Sequence, residues 1–150
     1  MEGGTMIISV IGAQNTGKTT FISDFLKAFP HFTSPTLDYR DLILTQNLNI
    51  NREGDWRSQR IIMDFIIEDL KIQKASGKDV IIDRSVIDCY VYSEWLHNYK
   101  RNINTNDLRD LYWDALSVIG MYDMFLFFPI NMTPDIKIED DGFRDTDIDY

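Results

Sequence analysis

One hundred and fifty residues, 44% hydrophobic and 13% aromatic, suffice for a single domain spanning 1–150 with its own core. One cysteine, Cys89, and two scattered histidines exclude a disulfide framework and a Cys- or His-rich metal centre, and fit a reducing cytoplasm. A net charge of -9 disfavours bulk nucleic-acid binding, which needs lysine and arginine to displace counterions.

In chain order, Met6 to Ile11 is a β-branched apolar run that ends at Gly12, as a buried parallel strand would. Glu2 stands where a signal peptide carries basic residues, so no secretory leader is expected. From Gly17 the period turns helical, with Phe21, Ile22, Phe25, Leu26 and Phe29 on one stripe and Pro30 as its stop. Pro35 to Leu44 suggests a second strand around Thr36–Leu37 leading into a helix, and Asn47 to Glu53 reads as a loop. Asp55 is placed to cap a helix that carries Ile61, Ile62, Phe65, Ile66, Asp69 and Leu70 and closes at Gly77. Val80 to Asp83 is a further buried strand. Ser85 then opens a helix to about Asn98 with capping-box spacing to Asp88. Thr105 to Ile119 is amphipathic and ends at Gly120. Met124 to Pro129 is the next strand, its Phe125, Phe127 and Phe128 expected in the core. The longest wholly apolar run, Met124 to Ile130, is too short to cross a bilayer. Asp135 to Tyr150 holds seven acids and two bases, most of them on a polar tail. Strands alternating with helices predict an α/β fold with a parallel sheet.

Gly12-Ala-Gln-Asn-Thr-Gly17-Lys18-Thr19 is GxxxxGKT, the Walker A phosphate loop, with a strand before it and a helix after it. Its glycines let successive backbone N–H groups turn inward at the positive end of the helix dipole. Gly12, Ala13, Gln14, Asn15, Thr16, Gly17, Lys18, Thr19 and the adjoining Thr20 are the expected nucleotide-binding set. Lys18 would reach the β- and γ-phosphates, and Thr19 would offer a hydroxyl to Mg²⁺. Asp83-Arg84, at the end of the second strand, lacks the Asp-Glu pair of ATP-driven motors. A carboxylate followed by a guanidinium suits transfer to an acceptor: Asp83 can take a proton or hold Mg²⁺, and Arg84 can hold phosphate charge. Trp56 and Gln59 are candidates to face the acceptor, Trp56 being equally a packing residue, and Asp88 reads as a cap. Cys89 reads as a buried helix residue.

Gly12 to Thr19, Val80 to Tyr92, Tyr122 to Pro129 and Asp140 to Asp147 occur in an order that resembles a group of small phosphate-loop kinases. That group comprises the nicotinamide riboside kinase-like AAA-domain proteins, many from phages, and is related to deoxynucleoside and thymidylate kinases. The resemblance implies a P-loop NTPase fold, with Lys18, Asp83, Arg84 and Arg144 as the catalytic set. Arg144 would lie in a lid over the phosphates, and Arg40 stands where relatives have an acceptor-side arginine. It also implies ATP and Mg²⁺ as cofactors. Relatives continue after the lid with a helix, a strand and a final helix. Without them the sheet edge would be uncovered, and a homo-oligomer through that edge is one expectation.

Two readings of function follow. One is an ATP- and Mg²⁺-dependent kinase acting on a small nucleoside-like or nucleotide acceptor: nicotinamide riboside, a deoxynucleoside or a nucleoside monophosphate. The other is a nucleotide-binding sensor or scaffold with little turnover. A GTPase fits poorly, because no Asn-Lys-x-Asp sequence is present.

Overall fold

In the computed structural model, residues 4–14, 16–35 and 39–129 are described. Three parallel strands form the sheet: β1 (Ile7–Gly12), β2 (Val80–Asp83) and β3 (Met124–Phe128), in the order β2-β1-β3. Their register runs from Ile7 opposite Val80 to Val10 opposite Asp83, and from Ile8 opposite Met124 to Gly12 opposite Phe128. Parallel neighbours require long crossovers, here supplied by α1 (Lys18–Ala28), α2 (Tyr39–Thr45), α3 (Trp56–Ala75), α4 (Val86–Trp95) and α5 (Thr105–Val118).

The strands are apolar on both faces because helices cover both. On one face Ile7, Val80 and Ile82 pack with Met63, Leu70, Val86, Cys89 and Leu111 from α3, α4 and α5. On the other, Ile8, Val10 and Ile81 pack with Ile22 of α1 and Phe32. Two carboxylates fasten the start of β1: the Met6 N–H donates to Asp79 at 2.9 Å and the Ile7 N–H to Asp123 at 2.7 Å.

The helix starts follow the capping residues. Asp55 accepts from the Ser58 N–H, and Ser85 with Asp88 completes a reciprocal capping box. Several expectations are refined. The helix opened by Ser85 is regular only to Trp95, then widens into a π-turn over Leu96–Lys100, where His97 Nδ1 lies 2.8 Å from the Ile103 carbonyl oxygen. Gly120 does not stop α5 outright, since a 3-10 turn runs over Ile119–Met121. Asn51–Glu53 is likewise a 3-10 turn within the expected loop. The expected strand at Thr36–Leu37 lies outside the described residues, but Thr33 already makes a parallel bridge to Val80. Phe127 is not core: it is 68% exposed, because β3 has β1 on one side only among the described residues. Phe125 and Phe128 are half-buried and pack against the two cores. Among the described residues no helix is long and apolar enough to cross a membrane.

Candidate active site

β1 and β2 end side by side, so the loop after β1 meets the turn after β2. Gly12, the last residue of β1, has φ +138°, and a Cβ there would stand 2.3 Å from the Phe128 carbonyl oxygen of β3. Only glycine lets the two backbones approach so closely. Gly17 takes a left-handed φ of 89° as the residue before α1, and no side chain caps the helix. The start of a helix carries amides of the kind that meet anions.

The loop is held from within and from outside. The Thr16 hydroxyl donates to the Ala13 carbonyl at 2.9 Å, and Gln14 Nε2 donates to Asn51 Oδ1 at 2.9 Å. Lys18 curls back to donate from Nζ to the carbonyls of Gly12 at 2.9 Å and Ala13 at 2.5 Å. Its ammonium thus sits at the mouth of the loop. Thr19 Oγ1 lies 3.5 Å from Asp83 Oδ2, the outer limit of a hydrogen bond. Around these groups lies a cavity of about 280 Å³, lined by Gly12, Gln14, Thr16, Gly17, Lys18, Thr19, Thr20, Asp83, Arg84, Asp88 and Tyr92.

A second cavity of about 230 Å³ opens on the other side of Asp83 and Arg84, which line both. Its walls are Ser34, Pro35 and Tyr39, the Phe65–Leu70 stretch of α3 through Phe65, Ile66, Asp69 and Leu70, and Ile82 and Tyr122. Burial raises the Asp69 carboxyl above its ordinary pKa, against a hydrogen bond from Gln73 Nε2 at 2.9 Å that lowers it.

Arg84 divides the two spaces. It adopts a left-handed φ of 77°, unusual for a residue with a side chain and a form of strain that gathers at functional sites. The turn is stitched to β1: the Arg84 N–H donates to the Val10 carbonyl at 3.1 Å, and the Ser9 hydroxyl to the Arg84 carbonyl at 3.1 Å. The guanidinium carbon lies 4.8 Å from the centre of the Tyr39 ring. Burial disfavours its charge, but Tyr39, Tyr92, Asp83 and Asp88 outweigh this, and its pKa moves up. Burial also pushes the Tyr39 hydroxyl up to about 12, so a neutral ring faces a fixed cation.

The structure therefore brings together Gly12, Gln14, Thr16, Gly17, Lys18, Thr19, Thr20, Asp83 and Arg84, with Ala13 taking part through its carbonyl. It does not bring Gln59 there. Gln59 is 5% exposed, and its Oε1 accepts from the Ser93 hydroxyl at 3.1 Å within the helical core. Trp56 is half-buried against the same core, and Arg40, exposed on α2, lines neither cavity. Asn15 and Arg144 lie outside the described residues. Asp69, Tyr39 and Phe65 were not anticipated, because α2 and α3 meet only through tertiary packing. Asp88, read from the sequence as a cap in preference to a catalytic residue, caps α4, and its carboxylate also accepts from the Gly12 N–H at 3.2 Å.

The residues fit a magnesium nucleotide in kind. The amides of a helix start and a lysine suit the phosphates, and a paired hydroxyl and carboxylate suit a hard cation. Among the described residues no cluster of three or more His, Cys, Asp or Glu could hold a metal by itself, so the phosphates would supply further oxygens.

Comparison with known proteins bears on the fold. The chain is similar to the crystal structure of NadR protein in complex with NR, with a TM-score of 0.64 and 19% identity over 95% of this chain. It spans 38% of the length of that protein. A thymidylate kinase from Ehrlichia chaffeensis aligns over 89% of this chain and 93% of its own, at 14% identity and a TM-score of 0.41. No family model and no curated protein sequence matches. The fold is that of an α/β P-loop NTPase.

Proposed function

We propose that this chain transfers the γ-phosphoryl group of ATP to a hydroxyl of a small nucleoside-like acceptor. The observation that carries the reading is the pair of cavities sharing one wall, Asp83 and Arg84. ATP would place its phosphates over the Gly12–Thr19 loop and its γ-phosphoryl group toward that wall. The acceptor would enter from the Tyr39 and Phe65 side. Asp83 would take the proton of the attacking hydroxyl or hold the cation with Thr19, and Arg84 and Lys18 would hold charge on the migrating group. Bound magnesium would neutralise charge developing on the phosphate oxygens. Positioning supplies most of such a rate enhancement, which suits a site built on strand ends.

The charge of the second cavity supports an acceptor without a phosphate of its own. Among the described residues its charged wall is Asp69, Asp83 and Arg84, and the guanidinium is already over Tyr39. A monophosphate would face two carboxylates, whereas a neutral or cationic nucleoside would lie against aromatic rings at no such cost. Nicotinamide riboside and deoxynucleosides fit that description better than nucleoside monophosphates.

Incubation with γ-labelled ATP, Mg²⁺ and a panel of nucleosides and nucleoside monophosphates tests the reading. Label should pass to a nucleoside. Tight ATP binding without transfer to any acceptor would instead make the chain a nucleotide-binding module.

A further inference from the structure

Asp88 belongs to α4, yet it touches the phosphate loop. One carboxylate oxygen, Oδ2, accepts from the Ser85 N–H at 2.8 Å and lies 3.2 Å from the Ser85 hydroxyl. The other, Oδ1, accepts from the Gly12 N–H at 3.2 Å, across a sequence separation of 76 residues. The helix cap uses one oxygen, and the root of the loop uses the other. Asp88 also lines the phosphate cavity, where Lys18 and Arg84 are the cations that act on it.

A carboxylate is electrostatically unfavourable at a site for a polyanion: it repels the phosphates and draws on cations they would use. A cap alone does not require that placement, because the capping contacts are confined to Ser85 and the start of α4. What the position adds is the bond to Gly12, the residue that can approach Phe128 only as glycine. We propose that Asp88 is a positioning residue of the phosphate loop, holding the loop's first amide to the N-terminus of α4 so that the amides beyond it converge on the nucleotide. The inference rests on the Gly12–Thr19 loop being a nucleotide site, and it adds a residue that acts through Gly12 and not on the phosphates.

Electrostatics and positioning predict opposite signs, which makes the test sharp. Removing an anion from an anion site should tighten binding; removing a support should weaken it. Mg·ATP binding is measured by calorimetry for the wild type, Asp88→Ala, Asp88→Asn and Ser85→Ala, with thermal melts for each. Asp88→Ala should bind about tenfold more weakly, the scale of a lost charge-assisted hydrogen bond. Ser85→Ala loses the hydroxyl's contacts with the Ile87 N–H and with Asp88 Oδ2 but leaves the Asp88–Gly12 bond, and should bind within about threefold of the wild type. Asp88→Asn leaves one acceptor oxygen for two N–H groups, and the shorter Ser85 contact holds it, so Gly12 faces an amide nitrogen: binding should weaken about fivefold to tenfold, with a lower melting temperature. If Asp88→Ala does not fold, Asp88→Asn and Ser85→Ala carry the test. Wild-type or tighter binding by Asp88→Ala overturns the inference, as does an Asp88→Asn that binds Mg·ATP as tightly as Ser85→Ala. A wild type that does not bind Mg·ATP refutes the nucleotide site itself, a result distinct from either.

Discussion

The Arg84 guanidinium rests on the face of Tyr39, and this contact ties the turn after β2 to α2 at the boundary between two cavities. The ring orients a cation whose backbone is strained to present it. Tyr39→Phe keeps the aromatic face and should retain kcat within about threefold. Tyr39→Ala should lower kcat about tenfold, in keeping with the energy of a partly desolvated cation–π contact. Steady-state kinetics with the best acceptor from the panel checks both, and equal losses would show that the ring does not matter.

Lys18 reaches the loop's own carbonyls, so its charge is aimed where phosphates would lie. Lys18→Ala should weaken Mg·ATP binding at least about tenfold to a hundredfold, from the loss of charge-assisted contacts. Because the side chain adds little to either core, the melting temperature should hardly move. Calorimetry and a thermal melt together decide the point; unchanged affinity would refute the assignment of the loop.

Asp83→Asn separates chemistry from binding. As proton acceptor or cation ligand, Asp83 should contribute about two orders of magnitude to turnover. Affinity for Mg·ATP should stay close to that of the wild type where Asp83 is the proton acceptor, and fall about tenfold where it holds the cation. Acceptor-dependent label transfer at the wild-type rate would leave Asp83 as a strand end and no more.

Gly12→Ala tests the meeting of β1 and β3. The added methyl would collide with the Phe128 carbonyl at a backbone angle that alanine rarely adopts. A loss of about 3 kcal/mol or more in denaturant unfolding is expected. Gly120→Ala is the control, since a Cβ there meets nothing within 4 Å.

Alkaline pH should unfold the protein through three buried acids. Burial pushes Cys89 from 9.0, and Tyr39 and Tyr122 from 10.0, to about 12 each. The native state keeps these protons while the unfolded chain loses them above about pH 9–10. Stability is therefore whole below that range and declines as pH rises toward 12, by up to about 1.4 kcal/mol per pH unit for each group. Urea melts from pH 8 to 11 check the slope, and Cys89→Ala should make it shallower.

Much of this was legible from local pattern. The order of strands and helices, the caps Asp55 and Ser85, and the glycine turn between β1 and α1 all follow from short-range rules of period, capping and turn chemistry. Phe127 escaped them because its exposure depends on what lies beside β3, which no periodicity within the strand encodes. Gln59 escaped because polar residues at a helix start look alike whether they face a ligand or, as here, Ser93 and Cys89. The second cavity was invisible for a third reason: Tyr39, Asp69 and Tyr122 are far apart in sequence and meet only when α2, α3 and the turn before β3 close on β2. The left-handed backbone of Arg84 has no sequence signature at all.

Cys89, sealed between α4 and α3 with its proton held to about 12, is the chain's single thiol and a very poor nucleophile. Maleimides and other thiolate-seeking reagents should pass the native protein by. A cysteine introduced on the exposed face of α5, at Trp113 or Leu116, would then be the sole reactive handle. Fluorophores or spin labels could be placed singly or in pairs without first removing the natural cysteine, and the pairs would give distances in solution between chosen points on the fold.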